Sequence, residues 1–158
     1  MKYIISLLLV LVYLNSSAQQ TGSLTIHGIV VHNKSTLKNV KIEVYKDNEL
    51  QQETENLSNG SFKLTLKLGS VYNVSFLKND YIQKSIAVVA KTDSSISISG
   101  RFFYQLDIEL FKEDDGVIDE TALPPAAKLY INDASTGFTY DKKYVKWVAK
   151  RYKEESEE

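Results

Sequence analysis

The chain has 158 residues, with 19 Lys and Arg against 20 Asp and Glu, and a formal net charge of −1. A nearly neutral chain gives no electrostatic basis for binding nucleic acid, so a nucleic-acid partner is not expected. The chain contains no cysteine, which excludes a disulfide scaffold, and a stable fold must depend on an apolar core.

The amino terminus has the pattern of a secretory signal peptide. Lys2 precedes an apolar run over residues 4–14, and small residues follow up to Ala18. The run is shorter than the roughly 20 apolar residues that span a bilayer, so we expect cleavage after Ala18, with an uncleaved anchor as the alternative. No cysteine stands at the expected cut, so a lipoprotein is not expected. Residues 1–18 are therefore predicted to be removed, and the mature chain, which has no second membrane-length apolar run, to be periplasmic or secreted.

Alternation of apolar and polar residues predicts β-strands between residues 24 and 111. The predicted strands are 24–30, 40–45, 50–55, 62–68, 72–76, 82–89 and 102–110. Turn residues separate them, and Asn59-Gly60 is the strongest hairpin signal because both residue types tolerate positive φ. Seven short strands without helix-length apolar patterns between them predict an all-β sandwich of two antiparallel sheets over residues 19–111.

Residues 112–158 differ in character and are predicted to be a C-terminal extension. An acidic stretch and Pro124-Pro125 predict a loop, residues 127–131 a short strand, and Asp141 the N-cap of a helix. At 3.6 residues per turn, one face of this helix is apolar and consists of Tyr144, Val145, Val148, Ala149 and Tyr152. The opposite face consists of Lys143, Lys146, Lys150 and Lys153. We expect this amphipathic helix to pack on the sandwich and to present its lysines to water.

A series of short motifs follows the strands in order. They are Gly28-x-Val30, Val40-x-Ile42-x-Val44, Asn59-Gly60-x-Phe62-x-Leu64, Gly69-x-x-Tyr72-x-Val74 and Lys78-Asn79-Asp80-Tyr81. In these motifs the region of residues 24–90 resembles the carboxypeptidase regulatory-like domain, although the acid that such domains often carry before the central strand is missing from Leu57-Ser58-Asn59-Gly60. The resemblance implies a seven-stranded transthyretin-like (prealbumin-type) or Ig-like sandwich. It also implies a non-catalytic accessory module.

The segments 103–111 and 124–144 are also similar to stretches that follow such domains in envelope proteins of Gram-negative bacteria. This second similarity implies an envelope setting for the module.

No residue set predicts a catalytic, cofactor or metal site. His27 and His32 are the only histidines, and their odd spacing places them on opposite faces of a strand, which does not suit a metal pair. The acidic residues of 113–120 lack the alternating spacing of a calcium loop and are interpreted as a solvated linker. A Ser-His-Asp triad lacks a carboxylate close in sequence to either histidine, so a small hydrolase is only a distant alternative. An enzyme and a cofactor are not expected.

One cluster on the predicted helix has the composition of an interaction surface. Trp147 lies at the edge of the apolar face, between Lys143 and Arg151 and near Lys150. A tryptophan beside cations is typical of interface anchors, and the alternative is that Trp147 packs on residues 138–140. We predict a protein partner in the envelope, bound through this helix surface or a sheet edge. A glycan- or peptidoglycan-binding module is the alternative, since ten tyrosines could stack on sugars.

Overall fold

The described part of the chain forms eleven strands and one helix. The computed structural model describes residues 21–92, 98–112, 123–133 and 135–155, with the helix side chains described as far as Arg151. The strands are β1 (Gly22–His32), β2 (Ser35–Thr36), β3 (Lys41–Lys46), β4 (Glu49–Glu55), β5 (Ser61–Lys67), β6 (Val71–Leu77), β7 (Lys84–Val89), β8 (Gly100–Gln105), β9 (Ile108–Glu109), β10 (Ala127–Ile131) and β11 (Phe138–Tyr140). The helix is α1 (Lys142–Glu155). The predicted signal peptide lies outside the described residues.

The strands form two sheets, and both sheets are mixed. In the first sheet β1 is central, with β5 antiparallel on one side, β8 and β9 parallel on the other, and β2 antiparallel at its end. The second sheet has the order β11-β10-β7-β6-β3-β4, in which β10 and β7 are parallel. The predicted all-β sandwich with a C-terminal helix is confirmed. The parallel pairs differ from the antiparallel expectation because alternation of side chains does not encode strand direction.

The core lies between the inner faces of the two sheets. Leu24, Ile26 and Leu64 point inward from the first sheet, and Ile42 and Val74 from the second, and all are almost completely buried. Burial of each such side chain stabilises the fold by about 1.5–3 kcal/mol. The rings of Phe62 in β5 and Phe76 in β6 meet edge to face at 5.2 Å between centroids, so strands of opposite sheets are in direct contact.

Two hairpins have the two-residue turns that twisted strands favour. Asn33 and Lys34, between β1 and β2, have φ values of 48° and 65°. Asp47 and Asn48, between β3 and β4, have φ values of 51° and 69°. Positive φ at both central residues matches the right-handed twist of the flanking strands. These positions were recognisable in sequence as turns, since Asn and Asp tolerate the left-handed region.

The hairpin predicted at Asn59-Gly60 is wrong, although a turn is present. Gly60 has φ +82°, and its N–H donates to Leu57 O at 2.8 Å. The strand before this turn, β4, pairs with β3 in the second sheet, whereas β5 after it pairs with β1 in the first sheet. The segment is therefore a crossing between sheets. Sequence alternation places the two strands but does not show which neighbour each one pairs with.

The buried side chain of Asn56 fastens this crossing to the preceding one. Only 7% of Asn56 is exposed. Its Oδ1 accepts from Val40 N at 2.9 Å, and its Nδ2 donates to Leu37 O at 2.6 Å and Gly60 O at 3.1 Å. The amide thus joins the β2–β3 and β4–β5 connections with both of its polar atoms satisfied.

The strand predicted over residues 102–110 is divided into β8 and β9 at Leu106-Asp107. Leu106 N donates to His27 O at 3.0 Å, and Ile29 N donates to Asp107 Oδ1 at 3.1 Å. At this point the chain approaches β1 so closely that a Cβ added at Gly28 would lie 1.9 Å from Leu106 O. Gly28 is therefore required by the contact between two backbones.

The helix begins where predicted and packs against the second sheet. Asp141 Oδ1 accepts from Lys143 N at 2.9 Å and Tyr144 N at 3.0 Å, which is N-cap geometry. Val148 is only 2% exposed and α1 contacts β10. Ala149 is exposed, so the apolar face is narrower than predicted and centres on Val148, with Tyr144 and Val145 half-buried beside it.

The strand predicted in the C-terminal extension is β10, and its partner β7 belongs to the region predicted as the sandwich. The domain boundary after residue 111 stays a prediction. Among the described residues, no helix has the length and apolar character to cross a membrane.

We expect Gly28→Ala to destabilise the protein by about 1–3 kcal/mol or more, because the new methyl group would overlap a backbone oxygen that cannot move alone. Chemical denaturation of the mature chain measures this. The control is Lys38→Ala, at an exposed position in the connection between β2 and β3, for which we expect a change within about 0.5 kcal/mol. Equal stability of Gly28→Ala and wild type would contradict the close approach of Leu106 to β1.

We expect Asn56→Asp to lower the free energy of unfolding by about 3 kcal/mol at neutral pH, because it replaces two donated hydrogen bonds with a buried carboxylate that faces two carbonyl oxygens. Asn59→Asp is the matched control. Asn59 is exposed and uses Oδ1 as an acceptor for Ser61 N at 3.0 Å, which a carboxylate oxygen also provides. Similar unfolding midpoints for the two variants would argue against the role of Asn56.

Candidate interaction surface

Trp147 lies on the outer side of α1 with half of its surface in water. Its exposed fraction is 52%, and its ring lies 5.8 Å from that of Tyr144, centroid to centroid, at a tilt of 40°. Tyr144 is three residues earlier and therefore adjacent on the helix surface. The alternative, that Trp147 packs on residues 138–140, stays open, and Tyr140 in that segment is 39% exposed.

Exposed cations surround this aromatic pair. Lys143 and Arg151 are each four residues from Trp147, and Lys150 is three residues away, so all three share its side of the helix. We call this surface the Trp147 patch: Lys143, Tyr144, Trp147, Lys150 and Arg151. All four of the sequence-predicted site residues therefore lie together.

The turn before the helix is ordered by Asp133. Its Oδ1 accepts from Ser135 Oγ at 2.5 Å and from Thr136 N at 2.9 Å, and its Oδ2 accepts from Thr136 Oγ1 at 2.9 Å. The Ser135 hydroxyl, followed by the Thr136 backbone and hydroxyl, lowers the pKa of Asp133 from 3.8 to about 2. This turn connects β10 to β11, and β11 leads directly into the N-cap of α1, so it sets where the helix starts.

An open depression lies beside the start of the helix. It has a volume of about 420 Å³ and is lined by Val89, Lys91, Lys128, Tyr130 and Asp141, among others. Tyr130 is half-buried. The depression contains one tyrosine rather than the row of exposed tyrosines that a glycan-stacking groove would present.

The two histidines have separate environments and do not form a pair. His27 is exposed on the outer face of β1. His32 donates from Nδ1 to Leu110 O at 2.9 Å and accepts at Nε2 from Asn33 Nδ2 at 3.1 Å, and its ring meets Tyr81 edge-on at 5.2 Å. Both nitrogens of His32 are thus used in holding the turn. Across the described ranges, no three of the His, Asp and Glu side chains are placed to hold a metal ion. The acidic stretch 113–120 lies outside those ranges.

The outer face of the second sheet carries an ion-pair cluster that sequence reasoning missed. Lys41 Nζ lies 2.6 Å from Glu43 Oε1 and 3.1 Å from Glu53 Oε2, and Tyr45 OH donates to Glu43 Oε2 at 2.7 Å. The hydrogen bond from Lys41 and then that from Tyr45 hold the pKa of Glu43 below its usual range. An ionised carboxylate with two donors is not suited to proton transfer near neutral pH, and the contact of this cluster between β3 and β4 is the Lys41–Glu53 pair.

Lys84 is a second polar group that sequence reasoning did not single out. Its Nζ donates to Glu109 O and lies 4.6 Å from the centroid of the Phe111 ring. Burial lowers the pKa of Lys84. These contacts join β7 to β9 across the edge of the sandwich, and they give the amine a structural use.

Comparison with known proteins assigns the chain to no family. No family model matches its sequence, and no curated protein matches it. Among solved structures, 3-chlorocatechol 1,2-dioxygenase from Rhodococcus opacus is 12% identical with a TM-score of 0.43, over 60% of this chain and 61% of that chain. A DUF3823 family protein from Parabacteroides merdae is 12% identical with a TM-score of 0.38, over 71% of this chain and 53% of that chain.

A third similar structure is a type II cohesin–X-dockerin complex from Acetivibrio cellulolyticus. The matched chain is 19% identical with a TM-score of 0.38, over 60% of this chain and 61% of that chain. This chain spans less than two thirds of the length of each of these three structures. The resemblance to the carboxypeptidase regulatory-like domain therefore stays a prediction, and the fold shown for this chain is a β-sandwich with a C-terminal helix.

We expect the carboxyl group of Asp133 to titrate with a pKa of about 2 in a ¹³C NMR experiment. Since the folded-state pKa is depressed, the contribution of this turn to stability is complete above the ordinary pKa of 3.8 and is lost as the pH falls toward about 2. Ser135→Ala removes the largest cause of the shift and should raise the pKa. Ser70→Ala, in the turn between β5 and β6, is the control. An Asp133 pKa at its ordinary value in the wild type would contradict this turn geometry.

Proposed function

We propose that this protein is a non-catalytic binding module of the bacterial cell envelope, and that it holds a protein partner through the Trp147 patch. The observation that carries this proposal is the exposure of Trp147, at 52%, on a rigid helix that is capped at one end and anchored by a buried Val148. Covering a tryptophan in this position lowers the free energy of the complex, and the side chain loses little conformational entropy because it has few rotatable bonds.

The composition of the patch suits a protein surface. Interface anchors are enriched in Trp, Tyr and Arg, and the patch contains one of each: Trp147, Tyr144 and Arg151. Lys143 and Lys150 at its margin would guide an acidic partner toward the aromatic centre and affect mainly the association rate. We infer a partner that carries an apolar pocket with carboxylates at its rim.

The non-catalytic part of the proposal rests on the way the polar side chains are used. His32 has both ring nitrogens engaged, Glu43 is held ionised by two donors, and Lys84 donates to a backbone oxygen. His27 has Lys63 and Gln105 as its cross-strand neighbours, and neither is the carboxylate of a Ser-His-Asp triad. These groups support a scaffold and not a hydrolase.

The envelope setting rests on the sequence. The signal-peptide pattern of residues 1–18 and the resemblance of residues 24–90 support export to the periplasm or beyond.

The test uses residues 19–158 immobilised against native envelope extract, followed by titration of the captured protein in purified form. We expect Trp147→Ala to weaken the affinity by about 30-fold or more, the loss that corresponds to an anchor worth 2 kcal/mol. Phe103→Ala is the matched control, since it removes an exposed aromatic side chain from the first sheet. Equal affinities for Trp147→Ala and the wild type would refute the patch.

A second readout follows the tryptophan directly. Trp147 is the only tryptophan of the chain, so labelling with 5-fluorotryptophan gives a single ¹⁹F resonance. We expect this resonance to shift when the purified partner is added, because the indole ring leaves water. A partner that binds with the ¹⁹F resonance unmoved would place the interface elsewhere on the molecule.

A further inference from the structure

The outer face of the first sheet is defined by the register of three strands. Residues 24, 26, 64 and 66 point into the core, so the alternate residues of β1, β5 and β8 point outward. They form three rows across the strands: Lys67–Ser23–Arg101, Thr65–Thr25–Phe103 and Lys63–His27–Gln105. We call these nine residues the basic face.

The basic face carries cations without carboxylates. Lys63, Lys67 and Arg101 occupy three of its four corners, and none of the nine residues is acidic. This local excess contrasts with the formal net charge of −1 for the whole chain. Farther along the same strands the carboxylate of Asp107 accepts a hydrogen bond from Ile29 N. With strands about 4.8 Å apart and about 3.3 Å per residue, the corners lie roughly 10 Å apart across the sheet and 13 Å along it.

An aromatic ring at one side of this face is exposed to solvent. Phe103 is 69% exposed, which makes it the most exposed large hydrophobic side chain in the described part of the chain. Its neighbour Thr25 is outward-facing yet buried, and the Thr25 and Thr65 hydroxyl oxygens lie 3.5 Å apart. The centre of the face is therefore a low, hydroxyl-bearing floor with the Phe103 ring beside it.

We infer that the basic face binds a linear polysaccharide that carries carboxylates. The three corner cations match carboxylates spaced along such a chain, the Phe103 ring offers a surface for the apolar side of a sugar ring, and Thr65 and Gln105 offer hydrogen bonds to hydroxyl groups. At roughly 10 Å by 13 Å between its corners, the face is wide enough for a single narrow chain.

The sheet leaves room for such a chain to pass. In the described residues β5 and β8 each have β1 as their sheet partner, so the face is bounded by strand edges on both sides. A polymer can cross the three rows and continue beyond either edge. The basic face uses other strands and other residues than the Trp147 patch, so each proposal can fail without the other.

The test is a calorimetric titration of residues 19–158 with polygalacturonate at low and at high salt. We expect binding that weakens with salt. The triple variant Lys63→Gln, Lys67→Gln, Arg101→Gln should weaken it about tenfold or more, since three exposed ionic contacts are removed. The triple control Lys38→Gln, Lys142→Gln, Lys146→Gln changes the net charge equally and should bind as the wild type does. Phe103→Ser should weaken binding with no change in salt dependence.

Four outcomes would overturn the inference. The first two are the absence of binding and equal binding of neutral dextran. The third is an equal loss of affinity in the control triple variant, which would mean attraction by net charge alone. The fourth is tighter binding of polyglutamate, which would indicate an acidic protein segment as the ligand. Thermal unfolding of each variant shows that the fold is intact, which is expected because the substituted side chains point away from the core. The captured protein of the Trp147 experiment provides an independent check, since its affinity should be unaffected by the basic-face substitutions.

Discussion

The fold depends on the connections at which the chain crosses from one sheet to the other, and the side-chain amide of Asn56 joins two of them by hydrogen bonds. Residues before it complete the second sheet through β4, and residues after it begin β5 of the first sheet. The three hydrogen bonds of the side chain reach Leu37, Val40 and Gly60, so both connections are fixed by one buried group. Because a buried amide without partners is costly, the geometry of both crossings is restricted.

The two surfaces with binding character are consequences of that architecture. With β1 central and β5 and β8 on either side, every second residue of three strands faces water, and the basic face is the result. On the other sheet β10 and β11 direct the chain into α1, whose buried Val148 leaves Trp147 turned outward. Each of the two surfaces has an exposed aromatic side chain, Trp147 or Phe103, that lies beside cations and is not part of the core. Exposed apolar groups of this kind are typical of binding sites.

The sequence predicted the strands well because period-two alternation records which side chains are buried. It placed all seven of the main strands, the short strand of residues 127–131 and the N-cap Asp141. It failed at Asn59-Gly60 and at the parallel pairs because strand partners and directions are set by contacts that are distant in sequence. Gly28 belongs to the motif Gly28-x-Val30, but only the structure shows why glycine is required there: a Cβ at this position would lie 1.9 Å from Leu106 O. Phe103 stands at a position of the predicted strand where the alternation calls for a polar residue. An apolar residue at this outward-facing position was the feature of the sequence that could have indicated the basic face.

We propose that a protein partner in the envelope covers Trp147, and photo-crosslinking in living cells tests this. Benzoyl-phenylalanine is placed at Lys143, beside Trp147 on the helix, and for comparison at the exposed residue Lys38. We expect one discrete protein adduct from position 143, which is lost when Trp147→Ala is introduced, and none of that mass from position 38. The absence of an adduct at position 143, or the same adduct from both positions, would contradict the proposal.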